Sequence, residues 1–251
     1  MPAVSILLPC YNAADTLEAA LASLRAQTLA DFEIVAVDDG STDDTLAVLE
    51  KWAKEDERIH IIRQPHGGIV TALNAGLATC RGEYVARMDA DDLSRPERLA
   101  LQAQFLDTHP EVGVVSSLVS GYPPEAIREG FQIYIEWLNS LVSDEDIRRE
   151  LFVESPVAHP SVMFRKAAVL AVGGYQDFGW AEDYDLWLRL YLDGVRFGKV
   201  PQTLLDWRDQ PERLTRRDRR YSLENFIRAK THYLILSRQT GRGPLAGCDA
   251  V

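Results

Sequence analysis

Tyr84-Val85-Ala86-Arg87-Met88-Asp89-Ala90-Asp91-Asp92 runs from a short apolar stretch straight into three carboxylates. Crowded acids cost Coulomb energy wherever the local dielectric is low, and a divalent cation offsets that cost. Mg²⁺ and Mn²⁺ favour hard oxygen ligands, Mg²⁺ typically taking one or two carboxylates plus substrate phosphates. Ligands of α/β sheets bind outside the carboxyl ends of the strands. Read this way, the stretch is a buried strand opening onto a metal–diphosphate site. The same residues admit a plainer reading, an acidic turn before a helix. Ser94-Arg95-Pro96 supplies cap chemistry and a proline for the first turn.

The flanking residues decide the fold class. Val4 to Leu8 is an apolar run of strand length, after which Leu17, Ala20, Leu21 and Leu24 recur at helical spacing. Phe32 to Val37 reads as a second buried strand. Asp39-Gly40-Ser41-Thr42 forms a turn, and Thr42 or Asp43 caps a helix through Leu46, Leu49 and Lys51. Ile59 to Ile62 is a third strand, and Gly67-Gly68 opens a helix to about Thr79. The quoted stretch supplies the fourth strand, Tyr84 to Met88. A helix over Pro96 to Asp107 and a strand over Val112 to Val115 complete the series. Such alternation implies an α/β domain with a mainly parallel sheet and helices on both faces.

After Ser120 the rhythm changes. Gly121-Tyr122-Pro123-Pro124 interrupts it, and a helical stretch runs from about Glu125 to Leu141. Pro156 to Val172 is a further apolar–polar region ending in Gly173-Gly174. Trp180 to Asp193 is helical, Phe197 to Val200 and Leu204 to Trp207 read as short strands, and Tyr221 to Leu236 is a last helix. No internal repeat and no low-complexity tract is present.

At 251 residues the chain can bury a sizeable core. No apolar run reaches membrane-span length, and the N-terminus lacks a basic region followed by a signal-type core. Cys10, Cys80 and Cys248 are too few and scattered for a disulfide framework or a zinc cluster. A cytoplasmic setting is therefore expected. The net charge of −11 argues against non-specific nucleic-acid binding. Charge is uneven, however: residues 213–242 carry nine Lys/Arg against two Asp/Glu, the remainder 18 against 36. This basic C-terminal segment is either a solvated helix face or the place where something anionic is met, including a membrane surface.

Chemistry-bearing residues cluster where strands end. In Pro9-Cys10-Tyr11-Asn12 the ring suits stacking on a base and the amide suits reading its edge, although a strand-ending turn with a helix-capping Asn explains the same residues. Asp38 and Asp39 match the acidic residues after Rossmann strands that accept from ribose or base. Arg63-Gln64-Pro65-His66-Gly67-Gly68 offers backbone N–H groups at a helix start, but there is no Walker lysine and no Gly-x-Gly-x-x-Gly. Glu182-Asp183-Tyr184-Asp185 puts three acids in the first turn of an almost wholly apolar helix. The dipole favours carboxylates there. A general base for an acceptor hydroxyl is the functional reading, its basicity lowered by that dipole. His159-Pro160-Ser161 stays ambiguous. Arg208, Arg213, Arg216 and Arg217 either bring guanidinium groups to a diphosphate or sit in solvent.

Taken in order, these segments resemble the family 2 glycosyltransferases of the A-type (GT-A), nucleotide-sugar-binding fold. The resemblance runs from about Val4 to Thr215. It rests on Leu8-Pro9-Cys10-Tyr11-Asn12, Val37-Asp38-Asp39-Gly40-Ser41-Thr42-Asp43, Ala72-Leu73-Asn74-Ala75-Gly76, Arg87 to Asp92, His159 to Arg165, Gly173-Gly174-Tyr175 and Glu182 to Trp187. It implies one domain over 1–215, with a nucleotide-sugar half at 1–117 and an acceptor half at 118–215, then a basic helix and tail at 216–251. It further implies that Pro9, Tyr11, Asn12, Asp38, Asp39 and Asn74 surround the nucleoside, with Arg208 near the diphosphate. Asp89 would lie near the ribose and the metal, and Asp91 on the metal. Asp183 would be the base, with Glu182 close to the acceptor. The implied activity is inverting, Mn²⁺- or Mg²⁺-assisted transfer of one sugar from a nucleotide-diphosphate donor, a UDP-sugar by family habit, to a glycan or lipid-linked acceptor in cell-envelope polysaccharide synthesis.

Two departures stand out. Many relatives carry a His shortly after the Tyr/Trp-Arg pair, whereas this chain reads Trp207-Arg208-Asp209-Gln210-Pro211. The Gln-x-x-Arg-Trp signature of processive synthases is absent, which favours single additions. Two rival readings are a sugar-phosphate nucleotidylyltransferase, disfavoured because Pro9 to Asp15 has no Gly or basic residue, and a catalytically silent nucleotide-sugar-binding protein, disfavoured by intact Asp89, Asp91 and Asp183.

Overall fold

The computed structural model describes residues 1–210 and 213–241; Pro211, Arg242 and Cys248 lie outside the described residues. The strands are β1 (Val4–Cys10), β2 (Phe32–Asp38), β3 (Ile59–Arg63), β4 (Tyr84–Arg87), β5 (Leu93–Ser94), β6 (Val112–Tyr122), β7 (Met163–Arg165) and β8 (Arg196–Arg208). The α-helices are α1 (Ala14–Arg25), α2 (Thr45–Glu55), α3 (Ile69–Thr79), α4 (Arg98–Thr108), α5 (Glu129–Ser140), α6 (Asp144–Glu150), α7 (Lys166–Ala171), α8 (Glu182–Leu192), α9 (Leu214–Arg217) and α10 (Leu223–Thr240). All the strands share one sheet, ordered β3-β2-β1-β4-β7-β6-β8-β5. Four of its seven pairings are parallel, so the α/β expectation holds. β7 runs antiparallel to β4 and β6, and β5 to β8.

Both faces of the sheet are buried, and β1 shows why. Val4, Ile6 and Leu8 join one apolar cluster with α1, α2, α4 and α5, while Leu7 joins another with α3 and α8. Side chains alternate across a strand, so a doubly covered strand must be apolar throughout. Gly76 of α3 lies against Leu7 and Val37, where any Cβ would collide with Leu7 Cδ1. That close approach is what seats α3 on β1.

Where local signals were weak, the elements differ from expectation. The strand expected over Val112 to Val115 extends to Tyr122, because β8 supplies a parallel partner along its whole length. The two strands expected after Phe197 are one; exposed Pro201 and Gln202 bulge out between Val200 and Thr203, as a residue without an N–H requires. Ser94 is not a helix cap: it pairs with Leu205, and α4 starts at Arg98. Helix α2 begins at Thr45, later than Thr42 or Asp43, with Asp43 accepting from Thr45 N at 3.0 Å. The short α6, closed by a Ser143/Asp146 capping box, and α7 were not expected. The boundary read at 117/118 falls inside β6, and that at 215/216 inside α9.

Candidate functional site

Strand register builds the site. Cys10 pairs with Asp38 and Leu7 with Arg87, so β1 and β2 end together, β4 stops earlier on the same side, and their following loops share one edge. Asn12, at φ +48°, accepts from Thr42 N at 2.8 Å, and its own N–H donates to Ser41 Oγ at 3.0 Å. It therefore ties two strand-end loops together and does not cap α1. Asp38 accepts from Ser41 N at 3.2 Å. Asp39 is buried and accepts from Gln64 Nε2 at 2.6 Å and from Gly67 N and Gly68 N, both at 2.9 Å. The backbone donors expected to face a ligand at the start of α3 are thus spent on Asp39. Gly40 (φ +72°) permits this closure, since a Cβ there would meet His66 N at 2.6 Å. Beside this loop the half-exposed Tyr11 ring stacks on His66, centroids 4.1 Å apart. The pair is a ready platform for a flat ligand.

The acids after β4 converge. One carboxylate oxygen each from Asp89, Asp91 and Asp92 lies within 4.8 Å of the others, the one such group among the described residues. Strand β8 closes the cluster from its far side. Arg208 N donates to Asp92 Oδ1 at 2.8 Å, Arg208 Nε to the Asp91 carbonyl at 2.6 Å, and Gln210 Nε2 to Asp91 Oδ2 at 2.7 Å. Arg208 also lies over the Tyr122 ring at 4.8 Å. Burial, then the charge of Asp89, push the Asp91 carboxyl up to about 6, against the guanidinium groups of Arg213 and Arg87. Asp92 is pushed well up by burial and its two acidic neighbours, and its Oδ2 is buried without a hydrogen-bond partner. An orphaned buried oxygen within a set of hard-oxygen donors fits a divalent cation.

A second acid pair opens α8. Glu182 is 2% exposed and accepts from Tyr221 Oη at 2.7 and 3.0 Å. Asp183 is partly exposed and accepts from Tyr184 N at 2.8 Å. Burial, then Asp183, push Glu182 up to about 7, against the Tyr221 hydrogen bond. Burial pushes Asp183 up to about 6, against the Tyr184 N–H and the charge of Arg87. The lowered basicity expected from the helix dipole is therefore reversed: desolvation outweighs it. Asp185, the third acid, is structural, accepting from Trp180 Nε1, Tyr233 Oη and Arg189 Nε at 2.7–2.8 Å and so fixing α10 to α8.

Arg87 joins the two clusters. It is 3% exposed at the end of β4, forms an ion pair with Asp89, and its Nε lacks a hydrogen-bond partner. Its charge acts on Asp91, Glu182 and Asp183 alike, and the charge of Asp89 reaches Asp183. The metal-type acids and the acids of α8 thus feel the charge of one buried guanidinium.

Other expected residues take other places. Asn74 binds both backbone groups of Tyr175, Nδ2 to O at 2.8 Å and Oδ1 from N at 3.0 Å. His159 is buried against Tyr175 Oη at 2.9 Å and kept neutral by burial, a structural role. Arg213 covers Trp207 and Phe131, and Arg216 pairs with Asp209. Pro9 lies within β1, wholly buried. Sequence reasoning marked Gln210 only as a departure from a His, and gave no role to Arg87, His66 or Tyr221. An arginine interrupting an otherwise apolar strand was a signal for the first; nothing local marks the last.

A parallel-centred sheet with acid clusters at its strand ends and at a facing helix start defines a glycosyltransferase of the GT-A class. Solved S. aureus TarS 1-349 in complex with UDP-GlcNAc has the same fold, with a TM-score of 0.74 at 22% identity over 92% of this chain and 65% of that one, so this chain spans slightly less than two-thirds of it. The chain belongs to glycosyl transferase family 2, whose model matches residues 5–173. It is similar to the amylovoran biosynthesis glycosyltransferase AmsE of Erwinia amylovora, 36% identical over 85% of this chain and 79% of that protein. It is also similar to an Escherichia coli UDP-Gal:alpha-D-GlcNAc-diphosphoundecaprenol beta-1,3-galactosyltransferase, 29% identical over 92% and 83%.

Proposed function

We propose that this glycosyltransferase moves one sugar, with inversion, from a UDP-sugar to a glycan or lipid-linked acceptor, with Asp183 as the base. The observation that carries the reading is the buried Arg87, paired with Asp89 and acting by its charge on both acid clusters. Tyr11, Asn12, Asp38 and Asp39 enclose the nucleoside with Pro9 beneath them, and His66 joins the Tyr11 platform. Asn74 acts on this half indirectly, through the Tyr175 backbone it holds. Residues 1–117 thus serve the donor and 118–215 the acceptor. The two relatives support the acceptor class, one named for amylovoran biosynthesis and one for a diphosphoundecaprenol-linked sugar.

Asp183 takes the acceptor hydroxyl proton as the acceptor oxygen bonds the anomeric carbon from the face opposite the diphosphate. The bond to the diphosphate breaks with its electron pair on the leaving oxygen, and the sugar passes through an oxocarbenium-like state. Asp89 and Asp91, with Asp92 behind them, would hold Mg²⁺ or Mn²⁺, which when bound neutralises charge developing on the diphosphate. Arg208 fixes the loop bearing these acids. Burial keeps Asp183 basic enough to abstract a proton near neutral pH while leaving it mostly ionised there.

Helix α10 extends the acceptor side. Leu223 and Ile227 are 75% and 53% exposed, and residues 213–241 carry eight Lys/Arg against two acids. No helix among the described residues is long and apolar enough to cross a membrane. An anionic inner-membrane surface on the cytoplasmic side matches this face, and pelleting with anionic vesicles that is lost in high salt checks it. For the function, nucleotide sugars are screened for metal-dependent release of nucleoside diphosphate. Release from a UDP-sugar, increased by acceptor, is expected; release of pyrophosphate, or no turnover of any nucleotide sugar, overturns the reading.

A further inference from the structure

Glu182 is the least exposed acid of the α8 pair, and its partners come from a segment far along the chain. The Tyr221 hydroxyl sits 2.7 Å from one Glu182 oxygen and 3.0 Å from the other. Arg220 Nη1, buried without a hydrogen-bond partner, lies 3.9 Å from Glu182 Oε2. The rest of the Arg220 guanidinium is held by Asp218 at 3.1 Å and Asp177 at 3.7 Å, so its position is fixed by groups outside the site. The phenol is held in a defined geometry too: the single 3₁₀ turn at Arg219–Tyr221 is capped by Asp218, which accepts from Arg220 N at 2.9 Å.

A phenol has one proton to give, and a carboxylate flanked by it at two oxygens is the acceptor of that proton. Burial together with the charges of Glu182 and Asp183 pushes the Tyr221 phenol well up, so it stays a donor at any working pH. Two neighbouring carboxylates repel when both are ionised, and one then tends to keep a proton. A proton on Glu182 would turn an acceptor for a neighbouring sugar hydroxyl into a competing donor. The groups facing Glu182 are Asp183 from its own helix, Arg87 from β4, Arg220 and Tyr221 from the segment before α10, and the Tyr175 phenol. Of these, Tyr221 alone makes a direct side-chain hydrogen bond to it among the described residues.

We infer that Tyr221, seconded by Arg220, is a positioning residue that biases Glu182 toward its ionised form as a hydrogen-bond acceptor for a second hydroxyl of the acceptor sugar, leaving Asp183 as the base for the reacting hydroxyl. This rests on the roles proposed above for Glu182 and Asp183. The segment before α10 thereby becomes part of the acceptor site, and its class of ligand is a polyhydroxylated sugar, one hydroxyl donating to Glu182 while a different hydroxyl gives up its proton to Asp183.

Carbon-13 titration of the full chain labelled at Glu side-chain carboxyls, with Glu182→Gln to identify the Glu182 signal, tests the inference without any need for turnover. In Tyr221→Phe the Glu182 midpoint should rise by about one pH unit, the expected size for losing a hydrogen bond to a charged group. Arg220→Gln should move it the same way by less, and serves alone if Tyr221→Phe does not fold. In the transfer assay Tyr221→Phe should raise the acceptor KM more than the donor KM and shift the acid limb of kcat/KM to higher pH. An unchanged Glu182 midpoint in the folded variants overturns the inference, as does an equal change in both KM values with a fixed pH limb. If the unaltered chain transfers no sugar, the functional reading fails, while the carboxyl titration still decides the role of Tyr221.

Discussion

The two acid clusters meet the same electrostatic problem with different materials. Asp89, Asp91 and Asp92 stand at a strand end, and much of their support is backbone: Arg208 N binds Asp92 and the Asp91 carbonyl receives Arg208 Nε. One oxygen is still left over, Asp92 Oδ2. Glu182 and Asp183 stand at a helix start, where each is held by a donor that leaves no such surplus, the Tyr221 phenol and the Tyr184 N–H. A cluster with a surplus oxygen suits a cation that comes and goes; a cluster without one suits proton transfer. The charge of buried Arg87 acts against proton uptake in both.

The largest effect should come from breaking the proton-transfer side alone. Asp183→Asn keeps the shape but removes the base, and turnover should fall by ~10²–10⁴-fold. Calorimetric affinity for the nucleotide diphosphate should change little, because the donor half is untouched. Near-normal turnover in this variant would refute the assignment of the base.

Breaking the cation side should act on binding first. With a chelator, or in Asp91→Asn, nucleotide-diphosphate affinity should drop by at least about 10-fold, comparable with the loss of a metal's supporting partner. Asp183→Asn should retain full sensitivity to the chelator. Binding that ignores the chelator would remove the cation from the site.

The pH dependence of stability separates the clusters more finely. Glu182 and Asp183 hold protons up to about 7 and about 6 in the folded chain, above the usual carboxylate range. Between that range and pH 7 the folded state therefore binds more protons than the unfolded one, so stability is greatest at the acid end of this window and is lost as pH rises through 6 and 7. The melting temperature of the metal-free chain should fall from pH 5 to pH 8. Adding Mg²⁺ should flatten the part of the slope due to Asp91 and Asp92, whose carboxyls are likewise raised. Glu182→Gln should flatten only the remainder. Turnover should run the opposite way, rising through about pH 6 to 7 as Asp183 and then Glu182 lose their protons.

How much of this was legible depended on whether the signal was local. The strands read as ending at Leu8, Val37 and Met88 end at Cys10, Asp38 and Arg87, a near match because doubly buried strands are apolar throughout and stop at turn residues. The Asp89 to Asp92 cluster and the acids of α8 were readable as acids in apolar surroundings. The family pattern then gave their order. What stayed hidden depended on partners far apart in the chain. Asp39 meets Gly67 and Gly68, Asn74 meets Tyr175, and Tyr221 meets Glu182. Strand β8 looked like two pieces because Pro201 and Gln202 bulge outward, and only pairing with β6 makes it continuous.

The smallest expected effect concerns Gln210, just past the end of β8. Its Nε2 donates to Asp91 Oδ2 at 2.7 Å, and an amide nitrogen has no lone pair to offer a cation. The hydrogen bond instead draws on the same carboxylate oxygens that a cation would use. An imidazole could turn a ring nitrogen's lone pair toward the metal, and nitrogen donors suit Mn²⁺ less than carboxylates do but still add a ligand. Gln210→His should therefore lower, by only a few-fold, the Mn²⁺ concentration that half-saturates nucleotide-diphosphate binding. The effect should be smaller with Mg²⁺, whose preference for oxygen is stricter. A shift of equal size with both ions would mean that Gln210 acts on Asp91 through the hydrogen bond alone. In that case the difference between the clusters lies in their carboxylates and not in what β8 brings to them.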